Sequence, residues 1–172
     1  MSAPVRHWRV FTVRPRAEKR AAERLAAMGL DVLLPLRVAL HQWADRKKRV
    51  EVPLFPGYVF AHVDERERLA ALETDGVVRS VAFGGTLAVL RADEVAALRA
   101  LLALPDRIEA VAREAFPQGA EVIVTRGPLK GVRGVVTGHP RGQYLVVQVD
   151  SVQQAVRVEV PADWAMRPAR DA

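Results

Sequence analysis

Four consecutive cations, Arg46, Lys47, Lys48 and Arg49, begin three residues after Trp43, and in this stretch residue type and spacing first suggest chemistry. The chemistry is recognition of a polyanion, because cations crowded on a short segment gain most from a partner that carries many negative charges. A solvated charge run would look the same in sequence. Candidates for catalysis are poorer. Asp64, Glu65 and Glu67 could be paired carboxylates, but an acidic residue followed three positions later by Glu, ahead of Leu69 and Leu72, is the pattern of a helix start. There is no nucleophile elbow, no phosphate-cradling glycine loop and no metal-ligand spacing. His7, His41, His62 and His139 are scattered, so neither a metal nor a cofactor is expected. The absence of cysteine removes disulfides, thiolate sites and thiol nucleophiles together, and agrees with a reducing compartment. A binding protein is expected, not an enzyme.

With 172 residues, half of them hydrophobic, the chain can form one large or two small domains. No apolar run reaches transmembrane length, and the N-terminal MSAPVRHWRV has no apolar signal core. A cytoplasmic, monomeric protein without membrane contact is the expectation. The net charge of +6 is unevenly spread. Residues 1–50 hold 12 Lys/Arg against 4 Asp/Glu, a net +8, whereas residues 51–113 hold 7 against 10 and residues 114–172 hold 7 against 6. The polyanion should therefore face one end of the first domain.

The elements that must position these cations follow from periodicity. Trp8 to Val13 alternates as a strand with apolar residues on both faces, and Ala17 to Met28 reads as a helix with Ala21, Ala22, Leu25 and Met28 on one side. Gly29 ends it. Leu30 to Leu36 is a second strand ending near Pro35. A hairpin arm with a charged tip then leads through Val50, Val52 and Leu54 to the Pro53-Leu54-Phe55-Pro56-Gly57 step, where two prolines interrupt the strand and Gly57 permits a bend. Tyr58 to Val63 restarts it with Tyr58 and Phe60 on one face. A short helix after Asp64, a turn at Asp75-Gly76, a strand over Val77 to Phe83 and a helix from Asp93 to just before Pro105 complete an α+β domain, a small mixed or antiparallel sheet with helices packed on it. Residues 105–118, bracketed by prolines, read as a linker that is helical in part. Beyond it Glu121 to Val124, Val132 to Thr137, Gln143 to Val149 and Gln153 to Val160 are Val-rich strands with no helix between them, which predicts a small β-barrel.

PLFPGYVF, the preceding Trp-x-Asp-Arg-Lys-Lys run and the N-terminal HWRVFTVRPRAEKRAAERL together resemble the NusG family of transcription elongation factors, and within it the RfaH-like and UpxY-like antiterminators. The likeness covers nearly the whole chain, since residues 119–145, with Gly127, Gly131 and Gly134, look like a KOW motif. It implies an N-terminal NusG-type (NGN) domain over residues 1–104, a linker over 105–118 and an SH3-like KOW barrel over 119–168. It further implies an apolar hollow that binds the clamp helices of RNA polymerase, drawing on Val10, Thr12, Leu54, Phe55, Pro56, Tyr58, Phe60 and Phe83 with Trp8 as lining or support. Trp8, Leu54 and Phe83 read equally well as core. Arg14, Arg16, Arg20, Arg24, Arg46, Lys47, Lys48 and Arg49 would lie beside non-template or upstream DNA, Arg14 and Arg24 matching positions that contact the exposed non-template strand. The segment Asp64 to Asp75 is shorter than in RfaH and carries Leu69-Ala70-Ala71 where polar residues touch the polymerase gate loop. The KOW domain would recruit a ribosomal protein or Rho.

An operon-directed antiterminator is thus the leading reading, with a general elongation factor of the same family behind it. A ribosome-associated KOW protein that binds RNA would need its cations on the C-terminal domain, whereas the excess lies in the first. A refolding of the C-terminal domain into a helical hairpin, as in RfaH, is not expected. It would place Gly134 and Gly138 inside a helix at about 1 kcal/mol each and Pro140 at about 3 kcal/mol, against a β-bias from Val132, Val135, Val136 and Thr137.

Overall fold

The computed structural model describes residues 2–113, 117–139, 142–161, 163–164 and 166–169. Pro140 and residues 114–116 of the expected linker lie outside them. In chain order the elements are β1 (His7–Val13), α1 (Glu18–Ala27), β2 (Asp31–Leu33), β3 (Leu36–Gln42), β4 (Lys47–Pro53), β5 (Tyr58–Val63), α2 (Glu65–Leu72), β6 (Val77–Ser80), β7 (Ala82–Phe83) and β8 (Thr86–Leu87). There follow α3 (Ala92–Leu101), β9 (Ile108–Ala112), β10 (Glu121–Val124), β11 (Arg133–His139), β12 (Gly142–Val149), β13 (Gln154–Val160) and β14 (Met166–Pro168). They divide into two compact units, Met1–Leu34 with Phe55–Arg91, and Pro35–Leu54 with Ala92–Ala172.

In the first unit an antiparallel sheet of order β2-β5-β1-β6 carries helices. Phe11 and Val13 of β1 and Val59, Ala61 and Val63 of β5 form one apolar face. They pack with Ala21 and Leu25 of α1 and Ala71 of α2 in a single buried cluster. Asp64 caps α2 as its sequence predicts: its side chain accepts the Glu67 N–H while the Glu67 carboxylate accepts the Asp64 N–H. The expected strand over Val77 to Phe83 is broken at Val81, whose N–H donates to the Val10 carbonyl at 2.8 Å. The remainder, β7, turns back through Gly84-Gly85 onto β8.

The joint between β1, α1 and β5 is built from two special backbones. Arg14 to Ala17 is a turn closed by Ala17 N–H on the Arg14 carbonyl at 3.0 Å, with Arg16 left-handed at φ 63° behind Pro15. Gly57, at φ 87°, donates its N–H to the Glu18 carboxylate at 3.0 Å, and its carbonyl accepts the Val13 N–H at 2.9 Å. Glu18 is only 6 % exposed, so its burial is offset by this charge-assisted bond at the first turn of α1.

In the second unit β3 and β4 form a hairpin whose base is partly buried and whose residues 40–49 are all exposed. The expected strand over Leu30 to Leu36 is therefore two strands, β2 and β3, parted at Pro35, whose carbonyl accepts the Leu54 N–H at 2.8 Å. Six antiparallel strands make a sheet of order β14-β10-β11-β12-β13-β9. Its outermost strands β14 and β9 are not paired with each other among the described residues, so of the expected barrel these residues show a six-stranded antiparallel sheet that is not closed between those two strands. The partly helical linker is corrected. Pro105 accepts the Val38 N–H at 2.7 Å, Asp106 lies 3.7 Å from Arg49, and Ile108 to Ala112 pair with β13. Ile108 and Val111 stand three apart, so no alternation marks a strand in the sequence; one forms because β13 offers a ladder. Residues 121–124, 133–139, 142–149 and 154–160 are strands in the intact chain, as expected in place of a helical hairpin.

Glu18→Ala should destabilise the chain by about 1.5–3 kcal/mol, the range for a hydrogen bond to a charged group, because it leaves the Gly57 amide without its acceptor. Urea unfolding of the variant beside the parent measures this, and an unchanged midpoint would refute the role given to Glu18.

Candidate functional site

The hairpin arm displays the first basic group. Cross-strand register pairs His41 with Lys48, Leu40 with Arg49 and Gln42 with Lys47, and the Trp43 N–H closes the end on the Arg46 carbonyl at 2.8 Å. Directly opposed residues share a face, so the run 46–49 is split. Lys48, and by the same alternation Arg46, lie with His41 and Trp43, whereas Lys47 and Arg49 lie on the other face with Leu40. The contacts agree. The Lys48 ammonium sits 5.4 Å from the Trp43 ring centroid, and the His41 ring meets the indole edge-on at 6.4 Å. Trp43 nevertheless keeps 47 % of its surface exposed and Leu40 66 %.

A second basic group lies in the first unit. Arg14 and Arg24 both reach Asp75, at 2.7 and 3.1 Å, and Arg24 also donates to the Asp75 carbonyl oxygen at 3.0 Å. One carboxylate shared by two guanidiniums leaves a net positive charge, and all three side chains stay at least 43 % exposed. Arg16 and Arg20 are exposed as well. Arg16 stands in a left-handed backbone that glycine would occupy with less strain, by roughly 1–2 kcal/mol for an ordinary side chain.

The expected apolar hollow is corrected in part. On β1 and β5 the pairs Trp8–His62, Val10–Phe60 and Thr12–Tyr58 share a face. The central pair is sealed: Val10 and Phe60 are 0 % exposed, and Leu54 and Phe55 are 2 % and 1 %. The reason is the Pro53 to Gly57 step, which turns Phe55 back so that its ring meets Phe60 edge-on, centroids 6.2 Å apart. These four are core residues. Trp8, stacked on His62 at 5.3 Å, is half-buried, as are Thr12 and Tyr58, while Pro56 and Phe83 are exposed. Val78 and Val89, which the sequence did not single out, add exposed apolar surface to the same unit.

At the start of α2, Arg6 clasps Glu67 through two hydrogen bonds of 3.0 and 2.9 Å. The bond from Arg6, then the Asp64 amide, hold the Glu67 carboxyl below the usual carboxylate range, and Arg6 is raised in return. Glu65 is lowered by its hydrogen bonds from Arg68, whose other arm donates to Ser80 Oγ at 3.0 Å. Asp64, Glu65 and Glu67 are thus cap and ion-pair groups. Among the described residues no three His, Asp or Glu side chains gather as metal ligands, and no helix is long and apolar enough to cross a membrane.

The three glycines of the expected KOW motif act in different ways. Gly127 and Gly131 take φ of 81° and 90°. A Cβ on Gly127 would fall 2.9 Å from the Trp164 ring, and one on Gly134 would fall 2.5 Å from the Val146 carbonyl of the neighbouring strand.

The family model "NusG: Transcription termination factor nusG" matches residues 6–99. A solved structure on domain interaction in Thermotoga maritima NusG is similar over 95 % of this chain and 97 % of that one, at 19 % identity and a TM-score of 0.57, which supports a common fold. The MjSpt4:Spt5 complex in conformations A and B aligns over 94 % of the chain, at 16 % and 19 % identity, with TM-scores of only 0.31. A search among curated proteins found no match.

Phe60→Asp should unfold the first unit, since an unpaired charge in an apolar site costs several kcal/mol, while Tyr58→Ala should leave it folded. Circular dichroism melting distinguishes the two, and a cooperatively folded Phe60→Asp chain would overturn the core assignment. The Arg6–Glu67 pair adds a pH test. A depressed carboxyl stabilises the folded state above the unfolded value, about 4.3, and the contribution is lost as pH falls through the folded value. Arg6→Ala should therefore lower stability at neutral pH and flatten its decline in acid, whereas parallel parent and variant curves would refute the assignment.

Proposed function

The chain belongs to the NusG family, and from that premise we propose that it is a transcription elongation and antitermination factor which binds RNA polymerase through its first unit and nucleic acid through its two basic groups. The observation that carries this is the pairing of a half-covered apolar face with cations set in constrained positions. The face keeps Trp8, Thr12 and Tyr58 half-buried at its ends, with Phe83 exposed in the same unit. Anchors of this type suit a protein partner, because aromatic side chains gain most when a partner completes their burial. Arg14 and Arg24 about Asp75, strained Arg16, and the arm with residues 46–49 supply the phosphate contacts. In this reading the clamp helices of the polymerase cover Tyr58 and Trp8, and non-template or upstream DNA meets the arginines.

Support for an operon-directed paralogue, as against a general elongation factor, comes from the Trp43-x-Asp45-Arg46-Lys47-Lys48 run before PLFPGYVF, the form found in the RfaH-like and UpxY-like members it resembles. For residues 119–168 we propose a KOW module of SH3-like type that recruits a further factor, a ribosomal protein or Rho. Its support is the glycine set, in which Gly134 allows two strands to approach more closely than any Cβ permits.

The tagged chain should retain RNA polymerase in preference to ribosomes from one lysate, and Tyr58→Ala should lower that retention. Combined Arg46→Ala, Lys47→Ala and Lys48→Ala should weaken binding to DNA and reduce the slope of log affinity against log salt by roughly 2–3, since each phosphate contact contributes about 0.7–0.9. Retention of ribosomes alone would refute the polymerase reading, and an unchanged salt slope the nucleic-acid reading of the arm.

A further inference from the structure

Beyond phosphate contact, the tip of the arm holds an aromatic side chain that the charge argument leaves unused. Trp43 follows β3 at the tip of the arm, with 47 % of its surface exposed although the chain has ample apolar interior for an indole. It is also fixed. Its backbone N–H is held by the Arg46 carbonyl at 2.8 Å and its backbone carbonyl accepts from Gln42 Nε2 at 3.0 Å, while the ring itself has the His41 ring at its edge and Lys48 over its face. An exposed indole held from several sides loses little conformational freedom on binding, which is the property of a recognition platform rather than of a stray surface residue.

We propose that Trp43 is a stacking platform for one unpaired nucleobase, with Lys48 and Arg46 on the same face taking the flanking phosphates. The inference rests on the nucleic-acid reading of the arm and adds to it the class of strand. Charge complementarity selects the occupant: the arm carries Arg46, Lys47, Lys48 and Arg49 against Asp45 at its turn, so an anionic partner is favoured over an apolar or cationic one. The indole narrows the choice further. In a duplex the base faces are consumed by stacking on one another, and only phosphates and groove edges are offered. In a single strand each base has a free π-face a few ångströms from its phosphate, and stacking on an aromatic side chain with nearby cations is how sequence-tolerant single-strand sites are built. The division of the run by the β-period gives the two faces of the arm separate tasks. Lys47 and Arg49 lie away from the indole, and Arg49 is 3.7 Å from Asp106, so the Trp43 face carries the base-proximal cations.

The test uses the full chain and short labelled oligonucleotides of one mixed sequence, as single-stranded DNA, single-stranded RNA and duplex DNA, read by fluorescence anisotropy across a salt series. The parent should favour a single strand over duplex, with the two single strands showing whether DNA or RNA is the better source of the base. Trp43→Ala should weaken single-strand binding roughly tenfold, within the range for loss of one base–aromatic stack, with duplex affinity and salt slope unchanged. Trp43→Phe should restore most of the loss, which a merely misfolded tip would not. An equal loss on single strand and duplex, or no loss on either, would overturn the stacking role. Those outcomes leave the phosphate reading standing provided the triple charge variant still lowers the salt slope; if that slope also stays unchanged, both fall.

Discussion

The Glu18 carboxylate on the Gly57 amide is the interaction on which the first unit depends. Three segments that carry the site converge there: the end of β1, the first turn of α1 and the Pro53 to Gly57 step before β5. A residue with a side chain would adopt the left-handed backbone of Gly57 less readily, and Glu18 could not be buried without a donor. Because the Gly57 carbonyl also receives the Val13 N–H, the step is held from both of its polar groups. The register of β1 on β5 follows, and with it the face that holds Trp8, Thr12 and Tyr58.

The same step decides which aromatics are core and which are surface. A polypeptide that ran straight through residues 53–57 would leave Phe55 and Phe60 on alternating faces of one strand. Broken by Pro53 and Pro56 and turned by Gly57, it brings the two rings edge to edge, and both vanish from the surface. This is why Phe60 stands on the face that period two gives it, yet is sealed and not left open in the hollow that the family resemblance implies. Alternation says which residues share a side of a strand; only the non-local packing of the preceding loop says what covers that side.

Much of the architecture was nonetheless legible. The Asp64–Glu67 capping box, the helix between Pro15 and Gly29, and four of the six C-terminal strands lie where local pattern places them, because each is fixed by neighbours in sequence. What sequence missed was set at a distance. β9 exists because β13 offers it a ladder, and the segment read as linker is also tied to Val38 and Arg49. The open edge of the sheet is likewise a matter of which strands meet. In the site, the cations were legible as types, but their geometry was not: Asp75 as the shared counter-charge of Arg14 and Arg24, across 61 and 51 residues, has no sequence signal beyond its place in a turn. The partition of residues 46–49 could have been read, had the arm's alternation been carried through its charged end.

Two kinds of cation therefore stand on this chain, and their constraints imply different uses. Arg14 and Arg24 are pre-set by a carboxylate, which fixes their direction at the expense of half their charge, a condition suited to defining where a backbone lies. Lys47, on the face of the projecting hairpin away from Trp43, should respond chiefly to the summed field of a polyanion, whereas Lys48 is placed by the indole it stands over. Arg16 belongs to the first kind by a different route, since the turn, not an ion pair, fixes its backbone, and a glycine would satisfy that turn with less strain. The strain is intelligible if the guanidinium at that position is needed, because it adds a charge beside Arg14 without asking Asp75 to hold a third partner.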